Sequence, residues 1–527
     1  MTMILFERFE QNAQRHPNKP AFIYFNKQNW TTLTYGDILD RSNRFFLGLQ
    51  ACQLTPGLTA ALLTPPSADF FPFALALLKF GIVPIILDPA VGLRKVREML
   101  AESKPDIFIG NALTHTLRMM FGWGKNSVKH NLTIENVKRQ TSKVLPSAIV
   151  RRPSSAAAII YTSGSTGLPK GALYTQANLT AQLDLLQNTF NISQDEIDLP
   201  AFPLYALIDL LLGVTSVIPD INFPIPGKTD PAKVISAIQK FNVTNMFASP
   251  VVLDILSTFA LSGAERSRRV KLASLKRIIT AGAPATLDLQ QRFRQLLADH
   301  TDLFGIYGAT ESLPIAKVES REIFGLEEKT KNGAGICLGK PIEGVTVRII
   351  PITDEPLVEW QDSLEVEKNV IGEITVKSPA TTREYLNRPE SNRISKIEYR
   401  EDVIHRMGDA GYFDDEGRLW YCGRKSHRVI TQDDVMFTEQ IENIFNAHPL
   451  VFRTALVGIN GKPILWVELE RGAKVSKEKI IAELKTLAAS HPQAAEIQTF
   501  LFLKKFPTDV RHNSKIIREK LAILAAR

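Results

Sequence analysis

Residues 161–171 read Tyr-Thr-Ser-Gly-Ser-Thr-Gly-Leu-Pro-Lys-Gly. The run before them, Ala156-Ala157-Ala158-Ile159-Ile160, has the composition of a buried strand. Small residues and two glycines, Gly164 and Gly167, then make a turn free of bulk. Thr162, Ser163, Ser165 and Thr166 supply hydroxyls, the turn supplies backbone N–H donors, and Lys170 supplies a cation. Many donors, little steric bulk and one positive charge make a cradle for a polyphosphate. The spacing departs from Gly-x4-Gly-Lys-Ser/Thr, which excludes the P-loop. A plain Ser/Gly linker rarely sits between an apolar strand and a Pro-Lys-Gly ending.

The bulk properties bound the rest. A chain of 527 residues holds about two to four core units. Its 44% hydrophobic and 22% charged residues are those of a globular protein. The net charge is +8, but the basic residues are scattered and no nucleic-acid motif appears. Anionic small molecules are therefore the expected partners, and nucleic acid is not. Cys52, Cys337 and Cys422 are too few and too far apart for a disulfide framework or a zinc site. Met1 to Phe9 lacks the form of a signal peptide, and no run of about 18 apolar residues exists. A cytoplasmic protein without a transmembrane segment is the expectation.

Along the chain, helical spacing is expected over residues 5–17, from Thr34 onward, over 70–80, and over 176–190. Strands are expected at 19–24, 62–66 and 83–87. This alternation predicts a parallel sheet covered on both faces. Residues 111–150 read as irregular, basic surface. The run Leu199 to Leu207 is apolar and rich in proline and aromatics, which reads as core before pocket. A helix at 230–242 and strands at 245–250 and 275–280 follow. The last strand ends in Ala281-Gly282-Ala283-Pro284, small enough for a flat ring to approach the backbone.

A second signal is Tyr307-Gly308-Ala309-Thr310-Glu311, placed at the end of an expected strand. Strand C-termini are where α/β sheets present ligand groups. A glycine-punctuated β region then spans 333–377. Asp409, in Met407-Gly408-Asp409-Ala410-Gly411, is a candidate for ribose hydroxyls, because a carboxylate accepts O–H bonds well. Arg424 offers a planar fork to phosphate or ribose oxygens. Beyond 425 the chain reads as a small α+β unit.

The 161–171 stretch resembles the phosphate loop of the adenylate-forming superfamily, which holds acyl-CoA synthetases, peptide-synthetase adenylation domains and luciferases. The 307–311 stretch meets every fixed position of that superfamily's Tyr-Gly-x-Thr-Glu motif. The resemblance implies an α/β fold with a large domain, 1–425, made of two α/β subdomains and a β-rich part. A small mobile α+β lid, 426–527, follows and turns about a hinge at Ser426. It implies binding of ATP or AMP by residues 162–167, by Gly282, Ala283 and Pro284, by Tyr307, Gly308 and Ala309, and by Asp409 and Arg424. Tyr307 is implied to stack on adenine and Thr310 to hold the α-phosphate. Glu311 is implied to hold Mg²⁺, and Lys170 and Lys515 to act as catalytic cations. The first half-reaction so implied joins a carboxylate to ATP, giving an acyl-adenylate and pyrophosphate.

Departures from the common pattern point to one branch. Ser426 stands where most members carry an acidic hinge residue. Residues 426–434 contain no glycine, and Asn513-Ser514-Lys515 replaces the usual Gly-Lys. Together with Phe202 to Leu207, Val217 to Asp220, Gly333 to Cys337, Cys422 to Val429 and Asp509 to Asn513, these resemble the β-lactone synthetases of bacterial olefin formation. That likeness implies a long-chain 2-alkyl-3-hydroxy acid as substrate. Its own 3-hydroxyl attacks the activated carbonyl, and CoA is not used. Other enzymes of such a pathway are implied as partners. An apolar pocket from 202–213, including Leu210, Leu211 and Leu212, would suit the alkyl arms. His427 or His512 would serve as base for the hydroxyl, unless both are hydrogen-bonded surface histidines. The alternative is an acyl-CoA ligase or amino-acid-activating enzyme, for which CoA or another thiol takes the acyl group. A catalytically dead scaffold is disfavoured by the joint presence of Thr310, Glu311, Asp409, Arg424 and Lys515.

Overall fold

A buried helix joins two layers at the start of the chain. Phe70–Phe80 reads Phe-Phe-Pro-Phe-Ala-Leu-Ala-Leu-Leu-Lys-Phe, and every residue of it is buried. A helix apolar on all sides must be covered on all sides. The one charged member, Lys79, reaches Asn43 at 2.6 Å and lies over the rings of Phe6 and Phe46. Phe73 meets Phe45 edge-on with centroids 5.3 Å apart. The structure, a computed structural model, describes residues 5–26, 28–88, 91–140, 155–162, 168–262, 270–508 and 515–526.

Among the described residues the first sheet has six strands. Their spatial order is His130–Leu132, Ile107–Gly110, Thr59–Leu63, Val83–Ile86, Ala156–Tyr161 and Gly171–Thr175. All neighbours are parallel except the last pair, which is antiparallel. Among the described residues a larger sheet of 14 strands has an antiparallel edge pair, Pro20–Asn26 with Asn29–Thr34, then parallel neighbours, and ends antiparallel. Its parallel part places Ile197–Pro200, Asn245–Ala248, Arg277–Thr280 and Asp302–Ala309 side by side. Its antiparallel part runs through Ser312–Glu319 and Ile336–Pro341 to the strands of the β-rich region. These are the expected two α/β parts and β-rich part.

Local chemistry explains the helix starts. Thr34 and Asp37 form a capping box at Tyr35–Ala51, and Thr175 with Asn178 does the same at Gln176–Phe190. Asp230 caps Pro231–Lys240 from an exposed position. After residue 450 a separate three-stranded sheet, Val451–Ile459, Lys462–Leu469 and Thr499–Phe502, carries its own core around Phe445, Leu465 and Leu484.

Two expectations are corrected. Residues 111–140 are not irregular. They hold the helix Ala112–Phe121, the strand His130–Leu132 and the helix Ile134–Gln140, while 141–150 lie outside the described residues. Asn111 and Thr114 supply a capping box there, and Trp123 and Val137 are buried anchors. These elements are too short for periodicity to reveal. Leu210, Leu211 and Leu212 do not line a pocket. They end the helix Pro203–Leu212 and pack in the core with Phe9, Tyr35 and Phe71. Leu199, Ala201, Tyr205 and Ala206 are buried, as the core reading of 199–207 anticipates.

The parallel part of the large sheet also buries charge. Asp198 and Asp209 are both almost wholly buried, and Ser216 donates to Asp209 at 2.7 Å. The nearest cation, Arg277, is engaged by Glu196 at 2.5 Å. Burial pushes the Asp198 carboxyl up to about 7 and raises Asp209 as well, helped by Asp198. Carboxyls raised in the folded state hold protons that the unfolded chain releases above about pH 4. Stability therefore falls as pH rises from about 4 to 7. Asp209→Asn should flatten that part of the melting-temperature profile, by several degrees or so. An unchanged profile would contradict the shared-burial account.

Candidate active site

The candidate phosphate-binding segment is closed at its base by the pair that flanks it. Tyr161 and Gly171 are cross-strand partners, and a side chain at Gly171 would meet the Tyr161 ring at 3.1 Å. Thr162 donates its N–H to the Lys170 carbonyl at 2.9 Å, and Lys170 N–H returns a bond to Thr162 Oγ1 at 3.1 Å. Ser163, Gly164, Ser165, Thr166 and Gly167 lie outside the described residues. The half-buried Lys170 ammonium stands 5.0 Å over the Tyr385 ring. Burial lowers its pKa, and Glu311 works against that shift.

Thr310 and Glu311 form the two-residue tip of a hairpin, because Ala309 and Ser312 are paired across it. Three groups hold this tip. Tyr174 donates to the Thr310 carbonyl. Thr382 N–H donates to the Glu311 carbonyl at 2.8 Å. Tyr385 donates its hydroxyl to Glu311 Oε1. Gly308 is required beside the tip, since a Cβ there would meet Leu313 at 2.5 Å. Ala309 is half-buried in the same strand.

Tyr307, in the same hairpin, donates to Asp409 Oδ2 at 2.6 Å. Asp409 and Arg424 are cross-strand partners, with the guanidinium 3.0 Å from Oδ1. That ion pair leaves Oδ1 buried without a hydrogen bond. An acceptor so placed is open to an O–H. Burial raises the Asp409 pKa, opposed by Arg424 and Tyr307, while Asp409 raises that of Arg424. Gly282, at φ +94°, turns the chain after Arg277–Thr280. Thr280 pairs in parallel with Gly305, so Gly282, Ala283 and Pro284 leave the sheet at the edge that carries Tyr307.

Lys396, Tyr385 and His405 are absent from the sequence reading. Lys396 is almost wholly buried, donates to the Thr382 carbonyl, and lies 5.5 Å over the Tyr385 ring. Burial drives its pKa down to about 7, against the pull of Glu311. Buried His405 meets the Ser395 carbonyl at 3.0 Å through Nδ1. The one available signal was Tyr385, an aromatic among the polar residues 381–384 and 387–388. Nothing in the sequence separates Lys396 from a surface lysine.

Ser426 is exposed in a short turn, Lys425–His427, between the large sheet and the C-terminal unit. Lys425 and Arg428 fasten its two sides to Glu373 and Asp354 at 3.2 and 2.8 Å. Lys515 is half-buried beside Ile516, which bridges to Thr508. Arg518 anchors this segment by donating to both Glu442 oxygens at 2.7 Å. The C-terminal unit touches the large sheet's side through Gln440 and Gln493, which donate to the Gly333 and Asn332 carbonyls. His427 Nε2 lies 3.6 Å from Glu519. Burial, and then Arg518, lower its pKa to about 4, which makes it a weak base at neutrality. His512 lies outside the described residues. Among the described residues, no helix is long and apolar enough to cross a membrane.

Comparison with known proteins shows the family and the fold. Residues 9–386 match the family described as AMP-binding enzyme. The olefin beta-lactone synthetase of Xanthomonas campestris pv. campestris is 39% identical, over 94% of this chain and 91% of its own. That of Stenotrophomonas maltophilia is 38% identical, over 99% and 96%. The amide bond synthetase McbA of Marinactinospora thermotolerans shares the fold at TM-score 0.80 and 19% identity, over 99% of both chains. The o-succinylbenzoate CoA synthetase of Bacillus subtilis, solved with its acyl-adenylate intermediate, does so at TM-score 0.77 and 22% identity, over 99% of this chain and 98% of that one.

Tyr385→Phe removes the hydroxyl that fixes Glu311 and little else. Displacements of about 1 Å at a reacting centre cost on the order of 100-fold in rate. Pyrophosphate release from ATP and an acid substrate should slow by about 10- to 100-fold, with ATP affinity nearly unchanged. A wild-type rate would show that the tip holds its place without Tyr385.

Proposed function

Because the chain belongs to the AMP-binding enzyme family, we propose that it activates a long-chain 2-alkyl-3-hydroxy acid with ATP and closes it to a β-lactone. The chain is an AMP-forming ligase. What carries the finer reading is near-full-length identity of 38–39% to two olefin beta-lactone synthetases, joined to the geometry of the 310–311 tip.

The carboxylate attacks the α-phosphorus of ATP in line, and pyrophosphate leaves. Positioning and charge neutralisation, rather than a protein nucleophile, dominate such a step. Thr162 to Gly167 and Lys170 take the β- and γ-phosphates, and Thr310 takes the α-phosphate. The open Oδ1 of Asp409, with Arg424 beside it, takes the ribose hydroxyls, and Tyr307 with Gly282 to Pro284 lines the adenine. One carboxylate and neighbouring hydroxyls are hard oxygen donors, which suit Mg²⁺ held chiefly by phosphates. Glu311 would hold it, and the ion supplies charge neutralisation at the phosphates. Lys515 comes in on the small domain, 426–527, which turns about Ser426, and it neutralises charge developing between the acid and the α-phosphate.

In the second step the substrate's 3-hydroxyl oxygen attacks the acyl carbon. The acyl–phosphate C–O bond breaks, AMP leaves with that oxygen, and the hydroxyl proton passes to a base. His427, lowered to about 4 by burial and Arg518, is a neutral imidazole near pH 7, and it and His512 are the candidates for that base. Half-buried Phe202 and Leu204, which open the helix Pro203–Leu212, flank the alkyl arms in place of Leu210 to Leu212.

Incubation with ATP, Mg²⁺ and a synthetic 2-alkyl-3-hydroxy acid should give AMP and a product one water lighter than the acid, with or without CoA. A thioester that forms only with CoA would replace this reading with the ligase one. Lys515→Ala should slow pyrophosphate release by about 100- to 1,000-fold. An unchanged rate would remove Lys515 from the mechanism.

A further inference from the structure

The helix Ala112–Phe121 packs on the core through Leu117 yet leaves a second apolar face to solvent. None of its residues is buried. Its polar groups face the protein. His115 Nε2 lies 2.9 Å from the Leu132 carbonyl, and the Arg118 guanidinium lies 5.6 Å over the Phe108 ring. Thr114 is spent in the capping box with Asn111. The face left to solvent is Ala112, Leu113, Thr116, Met119 and Met120, and it carries no charge. Leu113 is 65% exposed, and Met119 and Met120 are 72% exposed each. Soluble surface helices put charge on that face, and an exposed apolar stripe marks an interaction site.

The flank of the stripe is predominantly basic. Gly122, at φ +63°, ends the helix, and Trp123 folds back into the core, stacked on Phe121 at 5.9 Å. Lys125 and Lys129 then emerge exposed. Between Asp106 and Glu135 the sequence holds Arg118, Lys125 and Lys129 and no acidic residue; Asp106 itself stands 3.9 Å from the Lys129 ammonium, which stays 73% exposed. Met and Leu side chains on one face with lysines at its end are what an anionic lipid interface accepts. The apolar groups enter the acyl boundary and the ammonium groups meet headgroup phosphates. A protein partner or a second copy would fit the apolar face equally, but neither accounts for a flank that stays net basic after Asp106 is counted against Arg118, Lys125 and Lys129.

We infer that Ala112–Phe121, with Lys125 and Lys129, docks this protein on an anionic lipid surface. The inference rests on the proposed function for its purpose alone: an acid with two long alkyl arms partitions into lipid, and docking brings the site to it. The surface itself is independent of that reading, and it is tested without substrate.

The test is flotation of the full chain with vesicles of phosphatidylglycerol and phosphatidylcholine, against vesicles of phosphatidylcholine alone. Binding is expected on the anionic vesicles, weakening steeply with salt, and little on the neutral ones. The double variants Met119→Ser/Met120→Ser and Lys125→Glu/Lys129→Glu should each lower the partition coefficient at least about tenfold. Both should keep wild-type pyrophosphate release with a short, soluble acid. Absence of flotation on anionic vesicles, or equal partition of wild type and both variants, would overturn the inference. So would a concentration-dependent dimer that Met119→Ser/Met120→Ser dissociates, which would assign the face to a second copy.

Discussion

Everything at the site depends on a two-residue turn being unable to move. Thr310 and Glu311 sit at the tip of a hairpin, where a chain of their length has few ways to hold a carboxylate still. Tyr174, Thr382 and Tyr385 reach the tip from two other parts of the chain and fix two carbonyls and one carboxylate oxygen. Tyr385 is in turn covered by Lys170 at 5.0 Å and Lys396 at 5.5 Å. Two lysine side chains and one carboxylate thus share a buried phenol ring. Electrostatic terms are large in such surroundings and cost no reorganisation during reaction. Preorganisation of this kind is what a reaction without a protein nucleophile requires.

The same logic separates the fixed groups of the large sheet from the C-terminal unit. Asp409, Arg424 and Tyr307 are fixed by strand pairing and by each other. Ser426, two residues beyond Arg424, is exposed and held only through its neighbours Lys425 and Arg428. Rigid groups therefore end where the turn begins. Arg518 and Glu442 keep the segment bearing Lys515 attached to its own unit. In the proposed reaction the second nucleophile is already on the substrate, so the lid has no thiol to admit.

Much of this was legible in the chain, for physical reasons. Tyr161 to Gly171 and Tyr307 to Glu311 are legible because phosphate binding demands small residues, hydroxyls and glycine at fixed offsets. The structure shows the crowding behind two of these glycines: a Cβ at Gly308 would stand 2.9 Å from the Ser312 carbonyl oxygen, and one at Gly171 would press on Ile159 and Tyr161 at 3.0 and 3.1 Å. The helices at 70–80 and 176–190 are legible because apolar composition and capping residues act locally. What was hidden acts at a distance. Lys396 gains its role only because Thr382 and Tyr385 fold onto it, and no spacing encodes that. Leu210 to Leu212 look like pocket in one dimension and prove to be core once the N-terminal helix is laid against them. The helix at 112–121 escaped because its ten residues are too few for periodicity to stand out.

The central claim is that activation occurs at the carboxyl group and that the substrate's own hydroxyl displaces AMP. Oxygen labelling tests it most directly. An acid carrying ¹⁸O in both carboxyl positions and ¹⁶O in its 3-hydroxyl should give AMP with one ¹⁸O and a lactone with ¹⁸O only in the carbonyl. Unlabelled AMP, with both labels kept in the organic product, would mean that the hydroxyl is the group activated. That result would contradict the account.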